Sequence, residues 1–507
     1  MKSTSKSNAH FAIAPTANIQ RSKFRRDHGY KTTFDAGPLV PIFVDEALPG
    51  DTFNLRASFF ARLNTPVVPI LDNMWLETFF FEVPVRQVWD NWEKFNGEQD
   101  NPGDSTDYLV PQCTSPVGGY AEESLQDYMG IPPLIENIKH SALFTRAYNH
   151  IWNTWFRDQN LQTSVVVDKD DGPDTTTDYK ILNRGKRHDY FTSSLPWPQK
   201  GEAVSMPLGD KAYVQTDWQA SQNNTMSSDS GGNHFSTDVS TQSAEFRLFA
   251  NLEDATAATI NALRQSVSVQ RLLEKDARGG TRYIEVVYSH FGVRSPDLRL
   301  QRPGYLGGGR SSVNISPVAQ TQSTDTGTTP LGELAAIGTV SGTGHGFTKS
   351  FTEHTIIIGL CNVRADLTYQ QALNRMWSRR TRWDFYWPEF ANLGEMAVLQ
   401  QEIFAQGTED DEDVVFGYQE AFGDMRYKPS LITGKMRSSS PTTLDYWHLS
   451  QDFATPPVLG PTFITEDPPV DRVVATPDEP HFKMDCYFNL TCARPMPMYG
   501  IPGLAKL

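Results

Sequence analysis

At 507 residues the chain is long enough for about three average domains, or for one all-β domain with long insertions. Hydrophobic residues at 38% support a real core, and 11% aromatics, 36 glycines and 33 prolines point to many short strands joined by irregular connections. No apolar run approaches the roughly 20 residues of a spanning helix, which excludes membrane insertion, and a net charge of −15 argues against wholesale collapse onto a polyanion.

The charge is unevenly spread. Residues 1–31 carry Lys2, Lys6, Arg21, Lys23, Arg25, Arg26 and Lys31 against the single acid Asp27, so a basic arm precedes an acidic body. That layout suits contact with nucleic acid, and a tail without any partner is the bland alternative. Small polar and charged residues dominate the arm, which has too little apolar surface to fold alone.

After the arm, Phe53, Leu55, Ala57 and Phe59 alternate with polar neighbours, the mark of a half-buried strand. Met74–Leu76 and Phe79–Phe81 read as a strand buried on both sides. From Ser141 to Arg157, Leu143, Phe144, Ala147, Tyr148, Ile151, Trp152 and Trp155 fall at helical spacings. Between Gln215 and Ser243, 18 of 29 residues are Ser, Thr, Asn or Gln and none is Lys, Arg or Glu. Trp218, Met226, His234, Phe235 and Val239 are scattered through this stretch, so it is not pure linker. A second helix is expected from about Asp254, a suitable N-cap, to Ala277, with Gly279 placed to end it. His290 follows a strand-like apolar run, and Gly304–Arg310 reads as a glycine-rich loop. Trp377–Pro388 interleaves Arg379, Arg380 and Arg382 with Trp377, Trp383, Phe385, Tyr386 and Trp387. Such a pattern suits phosphates and stacked, unpaired bases, or else core rings whose arginines pair with the acidic body. The acidic run Thr408–Asp413 reads as a solvated loop. From Pro429 onward, short apolar runs split by proline predict further strands, giving one β domain with large insertions.

Catalytic patterns are missing from the sequence. The glycines at 304–309 follow Gln301-Arg302-Pro303 and lead into chain without helical period or a Lys-Ser/Thr, so they do not form a phosphate loop. Asp168–Gly172 has the acids of a calcium loop out of step, with Tyr179 in place of the bidentate Glu. Cys113, Cys361, Cys486 and Cys492 lack zinc spacing and read as buried free thiols of a reducing compartment. The N-terminus lacks a signal peptide's apolar segment, and the expectation is a soluble protein made in a cytoplasm.

Long strings then carry a resemblance. "FDAGPLVPIFVDEALPGDTF" (34–53), "HDYFTSSLPWPQKG" (188–201), "ATAATINALRQ" (255–265), "LITGKMR" (431–437) and the blocks around 271–310 and 350–404 resemble the major capsid proteins of gokushoviruses, a branch of the microviruses. The resemblance runs end to end except for 203–250 and the acidic loop. It implies a mainly β fold, an eight-stranded antiparallel jelly roll with long inserted loops and a few helices, and no catalysis, cofactor or metal. It further implies sixty copies in a T=1 shell around circular single-stranded DNA, assembled in the host bacterial cytoplasm. A small basic packaging peptide, a DNA pilot protein and a host surface receptor are the implied partners.

On this basis residues 1–31 form an internal arm, and 32–507 a single capsid domain. The inserted loop 203–250 is expected as a three-fold protrusion, with Trp218, Met226, His234 and Phe235 as attachment residues. A surface loop without a partner is the alternative there. A β-sandwich enzyme with paired carboxylates and a free single-strand-binding protein are the competing function classes.

Overall fold

A computed structural model describes residues 20–202, 213–216, 226–228, 235–237, 248–251, 260–294, 301–321, 334–407 and 414–499, with residues 204, 296 and 332 besides. The chain divides into two compact units, one of residues 1–196 and 292–507, the other of 197–291.

The larger unit is built on two antiparallel sheets. The strands of these two sheets are β1 (Ser22–Arg25), β2 (His28–Phe34), β3 (Val40–Ala47), β4 (Thr52–Leu63), β5 (Met74–Pro84), β6 (Gly304–Ser312), β7 (Asn314–Ala319), β8 (Leu334–Ser350), β9 (Thr355–Ala365) and β10 (Phe482–Arg494). One sheet has the order β1-β10-β4-β8-β7, with β2 also pairing β10, and the other has the order β6-β5-β9-β3.

Alternation decides the facing. Phe53, Leu55, Ala57, Phe59, Ala61 and Leu63 of β4 are buried while the residues between them are not, as the spacing predicts. β10 repeats this with Phe482, Met484, Cys486, Phe488, Leu490 and Cys492, and pairs with β4 from Phe482↔Leu63 to Ala493↔Thr52. These faces meet Met74, Leu76, Phe80, Ile357, Cys361 and Val363 of the second sheet in one continuous core. β9 is buried along its whole length because both of its faces are covered. The four cysteines are free and buried, and burial pushes the Cys113 and Cys486 thiols up to about 12.

Helix α1 (Leu143–Ile151), continued by a wider turn at Trp152–Phe156, covers the outer side of the second sheet and forms a second core with Phe81, Val83, Ile356 and Ile358. Arg146 on this helix is fully buried. Its Nε donates to Asp174 at 2.7 Å, and Nη1 donates to the carbonyls of Asp170 and Val88 at 2.9 and 3.1 Å. The acidic stretch that mimics a calcium loop therefore serves this guanidinium and, through Asp171, the Trp89 indole at 2.7 Å.

Three sequence expectations need correction. Gly304–Arg310 is strand β6 rather than a loop. Its glycines bring chain segments closer than any side chain permits. A Cβ at Gly307 would lie 2.5 Å from the Gly346 carbonyl, at Gly308 2.0 Å from the Thr78 carbonyl, and at Gly309 2.5 Å from the His345 ring. His290 lies on a helix, and the runs at 431–439 and 444–453 form short 3₁₀ turns held by side chains, such as Arg472 donating to the His448 and Ser450 carbonyls at 2.8 Å. Of the C-terminal runs, only the last is a strand.

The smaller unit holds helices α2 (Ile260–Arg278) and α3 (Tyr283–Phe291), joined through Gly279 and Gly280, the latter at φ +91°. The Gly279 N–H closes the helix end on the Lys275 carbonyl at 2.8 Å, as anticipated. His290 Nε2 lies 2.8 Å from Asp276 Oδ1 and ties α3 to α2. Asp254, the expected N-cap, lies outside the described residues.

Candidate nucleic-acid and assembly surfaces

The arm does not fold alone; from residue 20 onward it borrows hydrogen bonds from β10. β1 pairs Ser22↔Arg494 to Arg25↔Thr491, and β2 pairs His28↔Phe488 to Phe34↔Phe482. Because strand side chains alternate, Arg21, Lys23 and Arg25 emerge together on one exposed face. Several of the arm's charges are already engaged. Arg26 forks onto Asp45 at 2.6 and 3.0 Å, Arg25 reaches Asp27 at 2.7 Å, and Lys31 reaches Asp485 at 3.1 Å. Arg21 donates to Thr52 Oγ1 at 2.7 Å. Lys2 and Lys6 lie outside the described residues.

The arginine–aromatic segment divides by role. Three short 3₁₀ turns, Arg375–Trp377, Arg382–Asp384 and Pro388–Asn392, fold it back on itself. The Asp384 carboxylate accepts the N–H groups of Arg380 at 2.8 Å and Thr381 at 2.6 Å, and these bonds hold it below the usual carboxylate range. Arg379, its side chain 11% exposed, pairs with the carboxylate of Asp424. Arg380 and Arg382 are exposed, and the Arg382 guanidinium lies 4.6 Å from the Trp387 ring and 5.6 Å from Trp383. The rings are not core anchors: Trp377 is 71% exposed, Trp383 66%, and Phe385, Tyr386 and Trp387 39–49%. Met376, Leu393, Met425 and Leu431 are exposed as well. A cluster of exposed apolar side chains of this kind is a candidate surface for contact with another molecule.

Beside this surface a cavity of about 330 Å³ is lined by Tyr190, Phe191, Tyr369, Trp377, Glu402 and Asp424. Two carboxylates facing one cavity are what a β-sandwich hydrolase requires. Here both are committed. Glu402 is held by Arg375 at 3.1 Å and by the Tyr190 hydroxyl at 3.2 Å, and Asp424 by Arg379. Burial raises the Glu402 pKa, with Arg375 opposing it. Among the described residues, no group of three His, Cys, Asp or Glu side chains gathers as metal ligands. No described helix is long and apolar enough to cross a membrane.

Of the expected attachment residues, Met226 and Phe235 sit on two short strands, Met226–Ser228 and Phe235–Thr237, that pair antiparallel with Thr237 opposite Met226. Tyr213–Thr216 pairs with Leu248–Asn251 in the same unit. Trp218 and His234 lie outside the described residues. Sequence reasoning passed over Glu77, on which four arginines converge. Its one available signal was a carboxylate inside the apolar run Met74–Phe81.

The sequence profile of a family described as "Capsid protein (F protein)" matches residues 12–504. Proteins named capsid protein VP1 are similar along their whole length. That of Bdellovibrio phage phiMH2K is 49% identical over 99% of both chains, and that of Chlamydia phage 1 is 44% identical over 98% of both. That of Spiroplasma virus 4 is 36% identical over the full length of both.

Proposed function

Because the chain belongs to the capsid protein (F protein) family of these phages, we propose that sixty copies build a T=1 icosahedral shell around a circular single-stranded DNA genome. The observation that carries this reading is the end-to-end similarity to three proteins named capsid protein VP1. As a capsid protein it is a structural component of the virion and not an enzyme. The two antiparallel sheets serve as the jelly roll of the subunit, with β1 and β2 added along β10.

The exposed face of Arg21, Lys23 and Arg25 supports an inward-facing arm, with Lys2 and Lys6 extending it toward the DNA. Arg380 and Arg382, among exposed rings, support a surface that meets either the genome or a neighbouring subunit. The 203–250 insertion forms the three-fold protrusion and contributes to host attachment through Trp218, Met226, His234 and Phe235. The subunit's partners are then other copies of itself, the genome, a small basic packaging peptide, a DNA pilot protein and a host receptor. Assembly takes place in the bacterial cytoplasm.

Expression of the chain with its circular genome and a basic partner, followed by electron microscopy, tests the reading. Closed shells of sixty subunits that protect single-stranded DNA from nuclease are expected. A chain that stays monomeric and binds short oligonucleotides tightly would overturn it.

A further inference from the structure

Glu77 lies on the face of β5 turned away from the main core, and four arginines from distant parts of the chain converge on it. Arg184 and Arg364 reach its Oε2, Arg364 at 2.9 Å. Arg310 Nε and Arg187 Nη2 stand 3.7 and 3.8 Å from Oε1, too far for hydrogen bonds. Two of the four come from neighbouring strands, Arg310 opposite Glu77 on β6 and Arg364 opposite Trp75 on β9. Trp75 extends the cluster, with the Arg310 guanidinium 3.6 Å and that of Arg187 5.6 Å from its ring centroid.

Donors and acceptors are mismatched in position: Glu466 keeps its Oε2 unpaired, yet no acceptor reaches several of the donors. Asp366 takes one nitrogen of Arg187 at 2.5 Å, and Glu466 spends one oxygen on the Ala365 N–H at 3.1 Å. Three buried donors have no acceptor: Arg187 Nη2, Arg364 Nε and the Trp75 indole N–H. Each such group costs about 1–3 kcal/mol, and more when charged, so the cluster favours a further acceptor with several lone pairs. Burial, and then the neighbouring Arg364, depress the Arg184 guanidinium to about 10, with Glu77 and Glu466 opposing them. The cluster has a floor and an opening. Glu77 and Arg364 side chains are 10% exposed, whereas Arg187 is 25% and Arg310 42% exposed.

We propose that Arg187 and Arg310, above a floor of Arg184, Arg364 and Glu77, form a site for a phosphate group, whether inorganic phosphate or the phosphodiester of a polynucleotide. A tetrahedral oxyanion presents oxygens in several directions at once, which matches guanidinium forks arriving from four directions better than a planar carboxylate does. The polynucleotide source rests on the function proposed above; inorganic phosphate does not.

The test is thermal melting of the full-length chain in phosphate and in chloride at matched pH and ionic strength, with competition by oligothymidylate and by polyglutamate. A saturable, phosphate-specific rise in melting temperature is expected, with at least a tenfold loss of apparent affinity in Arg310→Gln. Arg310→Lys should recover part of it, and Lys483→Gln, an exposed cation outside the cluster and the arm, should respond as the parent does. Glu77→Gln should melt lower in chloride and regain stability in phosphate, a rescue that a purely structural role does not give. Oligothymidylate that competes only when Arg310 is present identifies the phosphodiester, and phosphate binding without that competition identifies the free ion; both support the site. The proposal is overturned by any of four results: an unsaturable response, a full response in Arg310→Gln, no phosphate rescue of Glu77→Gln, or polyglutamate displacing phosphate as well as oligothymidylate does. Because the free chain is measured, failure of shell assembly leaves the result readable.

Discussion

Arg379, Arg380 and Arg382 look equivalent in sequence and are not. Arg379 holds the buried carboxylate of Asp424, so Arg379→Ala strands a charge away from water. Breaking a buried pair in this way costs about 3–5 kcal/mol, and Asp424→Asn in the same chain should recover much of it, both read by denaturant unfolding. The double variant Arg380→Ala/Arg382→Ala should instead stay within about 1 kcal/mol of the parent, since both side chains are exposed. Its predicted effect is reduced DNA retention in assembled particles, measured by nuclease protection; unchanged retention would leave the segment to subunit contact alone. Glu466 supplies a pH signature. Burial raises its pKa from the ordinary 4.5 to about 7, opposed by the Ala365 N–H and by Arg364 and Lys186. The fold therefore prefers the protonated carboxyl: this contribution is full below about pH 4.5 and is lost as pH rises through 7. At about 1.4 kcal/mol per unit, the loss reaches at most roughly 3 kcal/mol between pH 4.5 and 7. Lys186, depressed by burial to about 8, changes stability at higher pH and in the opposite sense. Unfolding of Glu466→Gln should show a flatter slope between pH 5 and 7; an unchanged slope would assign the dependence elsewhere.

Strand β6 shows why glycines misled the sequence reading. Glycine is poor in strand interiors, so a run of it argues for a loop. The reason for the run lies on strands more than two hundred residues earlier and about forty later, in the Thr78 carbonyl and the His345 ring. Gly308→Ala forces a Cβ to 2.0 Å from the Thr78 carbonyl oxygen and should lower the melting temperature by several degrees. Gly29→Ala on β2 meets nothing nearer than 3.7 Å and should not. Equal melting of the two variants would remove the close approach as the cause. Where period and burial agree, the sequence was readable: β4 alternates as its residues do, and α1 buries the apolar positions spaced for it. It failed where distant partners decide. Tyr283–Phe291 carries a β-branched run yet is helical, tied to α2 through His290 and Asp276. The 3₁₀-rich segments after Pro429 are fixed by arginine and glutamine side chains reaching across sequence, which no local period records. The aromatic segment was legible as a candidate surface, but which arginine is a strut and which is exposed was not. The Glu77 cluster was invisible for the same reason, since β6 and β9 bring Arg310 and Arg364 beside β5 while Arg184 and Arg187 arrive from a separate segment.

Assembly sets a charge balance that the folded arm makes more demanding. Arg25, Arg26 and Lys31 each meet a carboxylate, so at most four of the seven basic residues of 1–31 are left for the genome. In the proposed sixty-copy shell that is at most about 240 positive charges, against one negative charge per nucleotide in a genome of roughly thousands of nucleotides. The body of the subunit is acidic and adds to the deficit. Filled particles therefore require cations from another source, which supports a basic packaging partner. The prediction is that shells assembled without any basic partner, examined by sedimentation and nucleic-acid content, will be empty or hold only fragments. Full-length genome in such shells would show that the subunit neutralises its cargo unaided. The proposed protrusion has a separate test, because the insertion lies in the smaller unit and the sheets in the larger one. Deleting residues 215–243 removes the hairpin of Met226–Ser228 and Phe235–Thr237 but no strand of either main sheet. Such particles should reach normal yield and size while adsorbing to host cells at least tenfold less. Normal adsorption would remove the attachment role from the insertion, and failure to assemble would move it from protrusion to subunit contact.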